Sequence, residues 1–245
     1  MIEVKNISKE LYSDSGLKKY ELKNISLTIH PGKVTTILGA SGSGKSTLLK
    51  IISALSSKSN GEVLNSSDQK IVYIPSSPSS FPWLSVTENI TFNNKSITKA
   101  EVSRLIGLVE LDGYENFFPN NKSLGFRFRV SLARSLANNP SLTILDDPFK
   151  LMDTQTKREL YTLVASINKK EGITFLLGTT NIQEAIILSD HVYLLRSHSI
   201  EGVLKEKAGI DIKNIDSSQS HSILQNHIEK IIQKLNSEEL AKISF

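Results

Sequence analysis

A mostly parallel α/β sheet with helices packed between its strands is predicted by three observations. Short apolar runs of strand length at 34–38, 142–145, 173–177 and 191–195 alternate with stretches whose apolar residues recur at helical spacing. The first run leads straight into a glycine-rich stretch, Gly39-Ala40-Ser41-Gly42-Ser43-Gly44-Lys45-Ser46-Thr47, and then into a helical pattern that reaches Leu55. The second run ends in two carboxylates, Asp146 and Asp147. On such a sheet, chemically active groups collect at the carboxyl ends of the strands, where that loop, Asp146 and Thr179 all fall.

Taken in order, residues 1–7 alternate apolar and polar side chains and predict an edge strand. Residues 12–19 hold Asp, Ser and Gly and read as a turn, and 22–29 alternates again as a second strand that Pro31-Gly32 stops. The strand, loop and helix of 34–55 follow. Residues 56–61 form a polar connector and 70–74 a short strand. A Ser/Pro-rich loop over 75–82 ends in Phe81-Pro82-Trp83-Leu84, after which Ser85 opens a helix with Glu88 placed to close a capping box. Val102, Leu105, Ile106, Val109 and Leu111 mark a further helix within 97–112, and 132–136 is the interior of another that ends near Asn138-Asn139-Pro140. An amphipathic helix over 156–168, a strand over 173–177, a short helix over 183–188 and a strand over 191–195 complete the alternation. From about Glu206 the chain turns polar, and 223–235 predicts a helix with Leu224, Ile228, Ile231 and Leu235 on one stripe. That stripe suits packing on the chain's own body or self-association.

The glycine-rich stretch matches the pattern G-x-x-x-x-G-K-[ST], in the strand–loop–helix context the pattern requires. The arrangement resembles that of P-loop NTPases. Glycines let successive backbone N–H groups turn toward phosphate oxygens, and the following helix adds its N-terminal dipole. Lys45 is placed to reach the β- and γ-phosphates, and Ser46 to offer a hydroxyl to Mg²⁺. Asp146 ends an apolar strand, where a carboxylate is costly unless paired, and is a candidate for the Mg²⁺ side.

Composition narrows the field. The 245 residues suffice for a full core, and 39% apolar with 22% charged residues fits a globular domain. Net charge is +4 and the pI about 9.1, but the lysines are scattered, so no nucleic-acid groove is predicted. With no cysteine, disulfides and thiol chemistry are excluded, and the five histidines lack metal-ligand spacing. No apolar h-region follows Met1 and no run of 18 apolar residues occurs, so neither a signal peptide nor a membrane span is expected.

Over about residues 2–205 the order of motifs resembles the ATP-binding subunit of ABC transporters. Residues 142–146 look like the Walker B strand, 148–153 like the segment that follows it with Asp153 as the D-loop aspartate, and 130–136 like the helix after the signature. Phe81-Pro82-Trp83-Leu84-Ser85-Val86-Thr87-Glu88-Asn89-Ile90 is similar to the branch serving nitrate, sulfonate, taurine and related small-solute importers. The resemblance implies an ABC-type domain over 1–205, with a helical subdomain at about 93–138, and a C-terminal extension over 206–245. It implies ATP and Mg²⁺ as ligands, an aromatic on adenine at Tyr12 (with Tyr20 a rival), and a dimer of this chain with itself or a relative. In that dimer each phosphate loop would face the other chain's Ser123 and Gly125. It also implies an integral membrane permease as partner, with Phe81 and Trp83 receiving one of its helices, and a peripheral place on the cytoplasmic face of the membrane.

Four positions depart from the family pattern. The Q-loop glutamine falls on Ser76, the catalytic glutamate on Asp147 and the switch histidine on Thr180, while Leu124 replaces a glycine of the signature. The groups that act on the γ-phosphate are altered together, and those that hold the nucleotide are kept. The expectation is therefore an ATPase of reduced activity, coupled to solute movement. The alternative is a non-hydrolysing regulatory or assembly subunit of a mixed ABC complex.

Overall fold

The computed structural model describes residues 1–12, 18–65, 70–77, 79–92, 94, 96–196 and 199–204, together with Asn226, Glu229 and Gln233. Two sheets form the body. The strands β1 (Ile2–Tyr12), β2 (Lys18–Ile29) and β4 (Asn60–Leu64) make an antiparallel sheet in the order β2-β1-β4. The larger sheet runs β5-β6-β7-β3-β8-β9, formed by β5 (Ile71–Ile74), β6 (Leu142–Asp146), β7 (Phe175–Thr179), β3 (Val34–Leu38), β8 (His191–Arg196) and β9 (Ser199–Leu204). Its pairings are parallel except for β9, which returns antiparallel along β8.

The small sheet corrects one expectation. The first strand is not an edge: β4 pairs with it through Val4 and Val63 on the side away from β2, so β1 is central. Gly61 and Glu62 interrupt the apolar alternation of β4, so its sequence reads as connector. The turn expected at 12–19 is also narrower, because Tyr12 pairs with Lys18 and Leu11 with Lys19.

Side chains alternate across the large sheet and feed two cores. Leu142, Ile144 and Leu176 pack with Ile37, Leu48, Leu49 and the small sheet, whereas Leu145, Phe175 and Leu177 pack with the helices on the other face. The first face carries α1 (Lys45–Ile52). The second carries α2 (Val86–Thr91), α3 (Lys99–Leu108), α4 (Leu124–Leu136) and α5 (Thr154–Glu171), with Ile187 and Leu188 at the end of α6 (Ile182–Leu188). Fully buried Phe128 and Phe149 meet edge to face at 5.4 Å, and Phe149 meets Tyr161 the same way at 5.1 Å, which ties α4 and α5 to the segment after β6.

Helix ends follow the local chemistry. Ser85 and Glu88 form the reciprocal capping box at α2. Thr98, Ser123, Asp153 and Asn181 cap α3, α4, α5 and α6 through side-chain oxygens. The helix expected over 223–235 lies outside the described residues, save that Gln233 N–H donates to Glu229 O at 2.9 Å.

Candidate functional site

Three neighbouring strands bring the site together. Leu38 of β3 pairs with Thr179 of β7, and Asp146 of β6 with Gly178. Just past these pairs, Gly39 N–H donates to Thr179 O at 3.3 Å and Asp147 N–H to Gly178 O at 2.8 Å. The loop after β3, the carboxylates after β6 and the turn after β7 are thus adjacent at one end of the sheet.

Between them lies an open pocket of about 260 Å³, lined by Ser41, Gly42, Gly44, Lys45, Ser46, Thr47, Ser76, Asp146, Asp147, Glu21 and Lys150. Gly39, Ala40 and Ser43 complete the loop behind it. Gly44 adopts φ 97°, and a Cβ there would stand 2.8 Å from Leu22 Cδ2, so both its conformation and its space demand glycine. It precedes α1, which has no side-chain cap and no acid in its first turn. The other five helices are capped by side chains. The N-terminal amides of α1 therefore open toward the pocket, where they suit an anion. The buried Ser43 Oγ likewise has no hydrogen-bond partner among the described residues.

Lys45 is 5% exposed, and its Nζ donates to Gly39 O at 2.8 Å and Ala40 O at 3.0 Å. Burial lowers its pKa, and the charges of Asp147 and Asp146 oppose that shift. Ser46 Oγ donates to Asp146 Oδ1 at 3.0 Å, and Tyr73 O–H donates to Asp146 Oδ2 at 2.6 Å. Burial and the Asp146 carboxylate push the Tyr73 phenol well above its ordinary value, so it stays a donor. Thr47 Oγ1 donates to Glu21.

Asp147 adopts φ 45°, a left-handed conformation that aspartate tolerates better than most side chains. Burial raises its pKa, while Lys45, the Thr180 N–H and Lys150 pull it back and Asp146 adds to the rise. Thr180 contributes its backbone N–H to Asp147 Oδ1 at 3.2 Å, and it is not among the pocket-lining residues. Ser76 lines the opening and is exposed. Tyr12 is 68% exposed at the end of β1, donates to Glu10 Oε2 at 3.2 Å, and does not line the pocket.

Ser123 and Gly125 lie at the N-terminus of α4, apart from this pocket. Ser123 Oγ accepts from Phe126 N–H at 3.2 Å, and a Cβ on Gly125 would stand 2.7 Å from Thr156 Cγ2. Asp153 caps α5 by accepting from Thr156 N–H at 3.0 Å. Sequence reasoning missed Tyr73, Glu21 and Lys150. Tyr73 sits on a strand that leads to Ser76, a usable signal. Glu21 reaches the site from the other sheet, which no local pattern encodes.

The arrangement can hold a polyanion on amides and lysine, with a hydroxyl and a carboxylate beside it for a hard cation. Comparisons with known proteins give the family. Residues 22–150 match the family model described as ABC transporter. An uncharacterized ABC transporter ATP-binding protein of Methanocaldococcus jannaschii is 32% identical over 99% of this chain and 94% of its own length. An aliphatic sulfonates import ATP-binding protein of Bacillus subtilis is 35% identical over 78% of this chain and 79% of its own. Among solved structures, the ATP-binding cassette MJ0796, dimeric in a post-hydrolysis state with ADP and Pi, superposes with a TM-score of 0.70. It is 28% identical, covering 82% of this chain and 97% of that one. The chain belongs to the ABC transporter family, of which it is an ATP-binding domain.

Proposed function

We propose that this chain is the ATP-binding subunit of a membrane ABC transporter for a small solute, and that it binds MgATP tightly but hydrolyses it slowly. The observation that carries the proposal is the uncapped N-terminus of α1, opening on a pocket that also holds Lys45, Ser46 and Asp146. Lys45 and the amides of residues 39–47 hold the phosphates. The hard oxygens of Ser46 and Asp146, already 3.0 Å apart, fit Mg²⁺, which when bound would neutralise charge on the β- and γ-phosphates.

The reaction is ATP + H₂O to ADP + phosphate. Asp147 is the group that would orient the attacking water, but its carboxylate is short and already accepts from the Thr180 amide. Serine at 76 lines the pocket opening with a short hydroxyl arm, whereas Thr180 reaches the site through its backbone N–H on Asp147. Tyr12, exposed at the end of β1, is the candidate for stacking on adenine in this reading.

The solved neighbour is dimeric, which supports a dimer here, of two copies or of one copy and a relative. Ser123 and Gly125 would then face the partner's phosphate loop. Import of a small solute is supported by the relatives named for aliphatic sulfonates import. The permease would dock on the aromatic surface of Phe81, Trp83 and Phe92. Trp83 is 69% exposed, its ring 5.5 Å from that of Phe81, and the Arg134 guanidinium lies 4.4 Å from the Phe81 ring centre while donating to Ser79 O at 2.7 Å. No helix among the described residues is long and apolar enough to cross a membrane. A peripheral place on the cytoplasmic face fits a permease-bound subunit.

Equilibrium binding of ATP with and without Mg²⁺ tests the reading. Binding that needs Mg²⁺ and is lost in Lys45→Ala supports it; ATP binding indifferent to both would overturn it.

A further inference from the structure

We infer that Lys150 is a second phosphate-binding lysine, one that recognises the terminal phosphate of a nucleoside triphosphate and so sets the preference for ATP over ADP. The inference rests on the ATP-binding reading above and deepens it. Lys150 follows Asp147 on the turn after β6, where its backbone N–H donates to Asp147 O at 3.3 Å. That turn places it on the lining of the phosphate pocket, together with Ser41, Gly42 and Ser76. It is exposed, and among the described residues its ammonium forms no ion pair within 4.0 Å.

Lys45 is committed differently. It is buried and turned onto the carbonyls of its own loop. The pocket lining otherwise carries three carboxylates, Glu21, Asp146 and Asp147, against that one lysine. A triphosphate brings several negative charges to this lining, and a second cation offsets the repulsion. Lys150 supplies it, and its charge acts on both Asp147 and Lys45.

Position decides which phosphate it serves. The α1 amides, Lys45 and Ser46 form one wall of the pocket. Asp147 and Lys150 line it from the turn after β6. In this inference a triphosphate seated on α1 reaches Lys150 and a diphosphate does not. The flexible four-carbon stem and point charge of lysine suit an exposed contact of this kind.

The test compares binding of Mg²⁺ with ADP or adenylyl imidodiphosphate, by calorimetry, in the wild type, Lys150→Ser and Lys150→Arg. Loss of one charge-assisted contact should weaken the triphosphate analogue about tenfold in Lys150→Ser while ADP affinity stays within about twofold, and Lys150→Arg should keep the preference. Equal weakening of both ligands, or of neither, in a wild type that binds nucleotide would overturn this inference alone. A wild type that binds neither ligand would overturn it together with the ATP-binding reading. Unchanged melting temperature in Lys150→Ser, expected for an exposed side chain, keeps the comparison free of folding effects.

Discussion

The backbone N–H of Thr180 donates to Asp147 Oδ1 at 3.2 Å, joining the turns after β6 and β7. Asp147 N–H in turn donates to Gly178 O at 2.8 Å, so the residue is held at both ends in its left-handed conformation. The carboxylate proposed to orient the attacking water is therefore anchored to backbone, with one methylene less reach than a glutamate. Anchoring of this kind preserves geometry better than it presents a base to water.

Asp147→Asn should leave stability within about 0.5 kcal/mol, because asparagine also tolerates positive φ and its amide oxygen still accepts from Thr180. Residual hydrolysis should fall about 10²-fold, since the amide cannot take a proton. Thermal melting and long-incubation phosphate release check the two halves, and retained turnover would show that Asp147 is a bystander.

Restoring reach should do the opposite. Asp147→Glu combined with Thr180→His supplies a longer carboxylate and a ring that can hydrogen-bond the γ-phosphate region. Turnover should rise at least about tenfold, as expected for recovered general base and charge-stabilising groups. ATP affinity, measured in parallel, should change little, because the lysine and the α1 amides are untouched.

Gly125 is packed too closely for a side chain. A Cβ there would stand 2.7 Å from Thr156 Cγ2, so Gly125→Ala should cost about 1–3 kcal/mol by overpacking. Thr156→Ser removes that methyl and keeps the hydroxyl that donates to Asp153 Oδ2 at 2.6 Å. Denaturant melts of the double-mutant cycle should show Gly125→Ala to be milder in the Thr156→Ser background. Strict additivity would contradict the contact.

Behind the site, Glu184 is 2% exposed and accepts from Thr179 Oγ1 at 2.5 Å and Tyr161 O–H at 3.1 Å, with Lys157 Nζ at 3.8 Å. Burial raises its pKa above the ordinary 4.5, and the two hydroxyls and Lys157 only partly offset that. For a carboxyl raised in the folded state, stability is fullest below the unfolded value and is lost as pH rises through the folded one. Stability should thus decline as pH rises above about 4.5, and Glu184→Gln should remove that component of the slope. A pH series of melting curves with an unchanged slope in Glu184→Gln would contradict this.

Much of this site was legible in the sequence because its chemistry is local. The loop 39–47 carries its own conformation through glycines and its own strand and helix on either side, and Asp146 announces itself by ending an apolar strand. The capping box of Ser85 and Glu88 was readable for the same reason. What escaped depends on long-range placement. Tyr73 reaches Asp146 across the β5–β6 pairing, and Glu21 reaches Thr47 from another sheet. β4 hid because glycine and glutamate break its period, and finding it required knowing that β1 needed a second neighbour. Lys150 stood in plain view, but nothing in its local pattern says that its turn folds over the pocket.

The most direct test of the account is steady-state hydrolysis of ATP by the purified chain with Mg²⁺, beside ATP affinity, with Lys45→Ala as the blank. Tight, Mg²⁺-dependent binding with turnover well below the usual enzymatic range of about 1–10³ s⁻¹ is the predicted result. Turnover within that range, lost in Asp147→Asn, would contradict it and make the aspartate a full working substitute for glutamate.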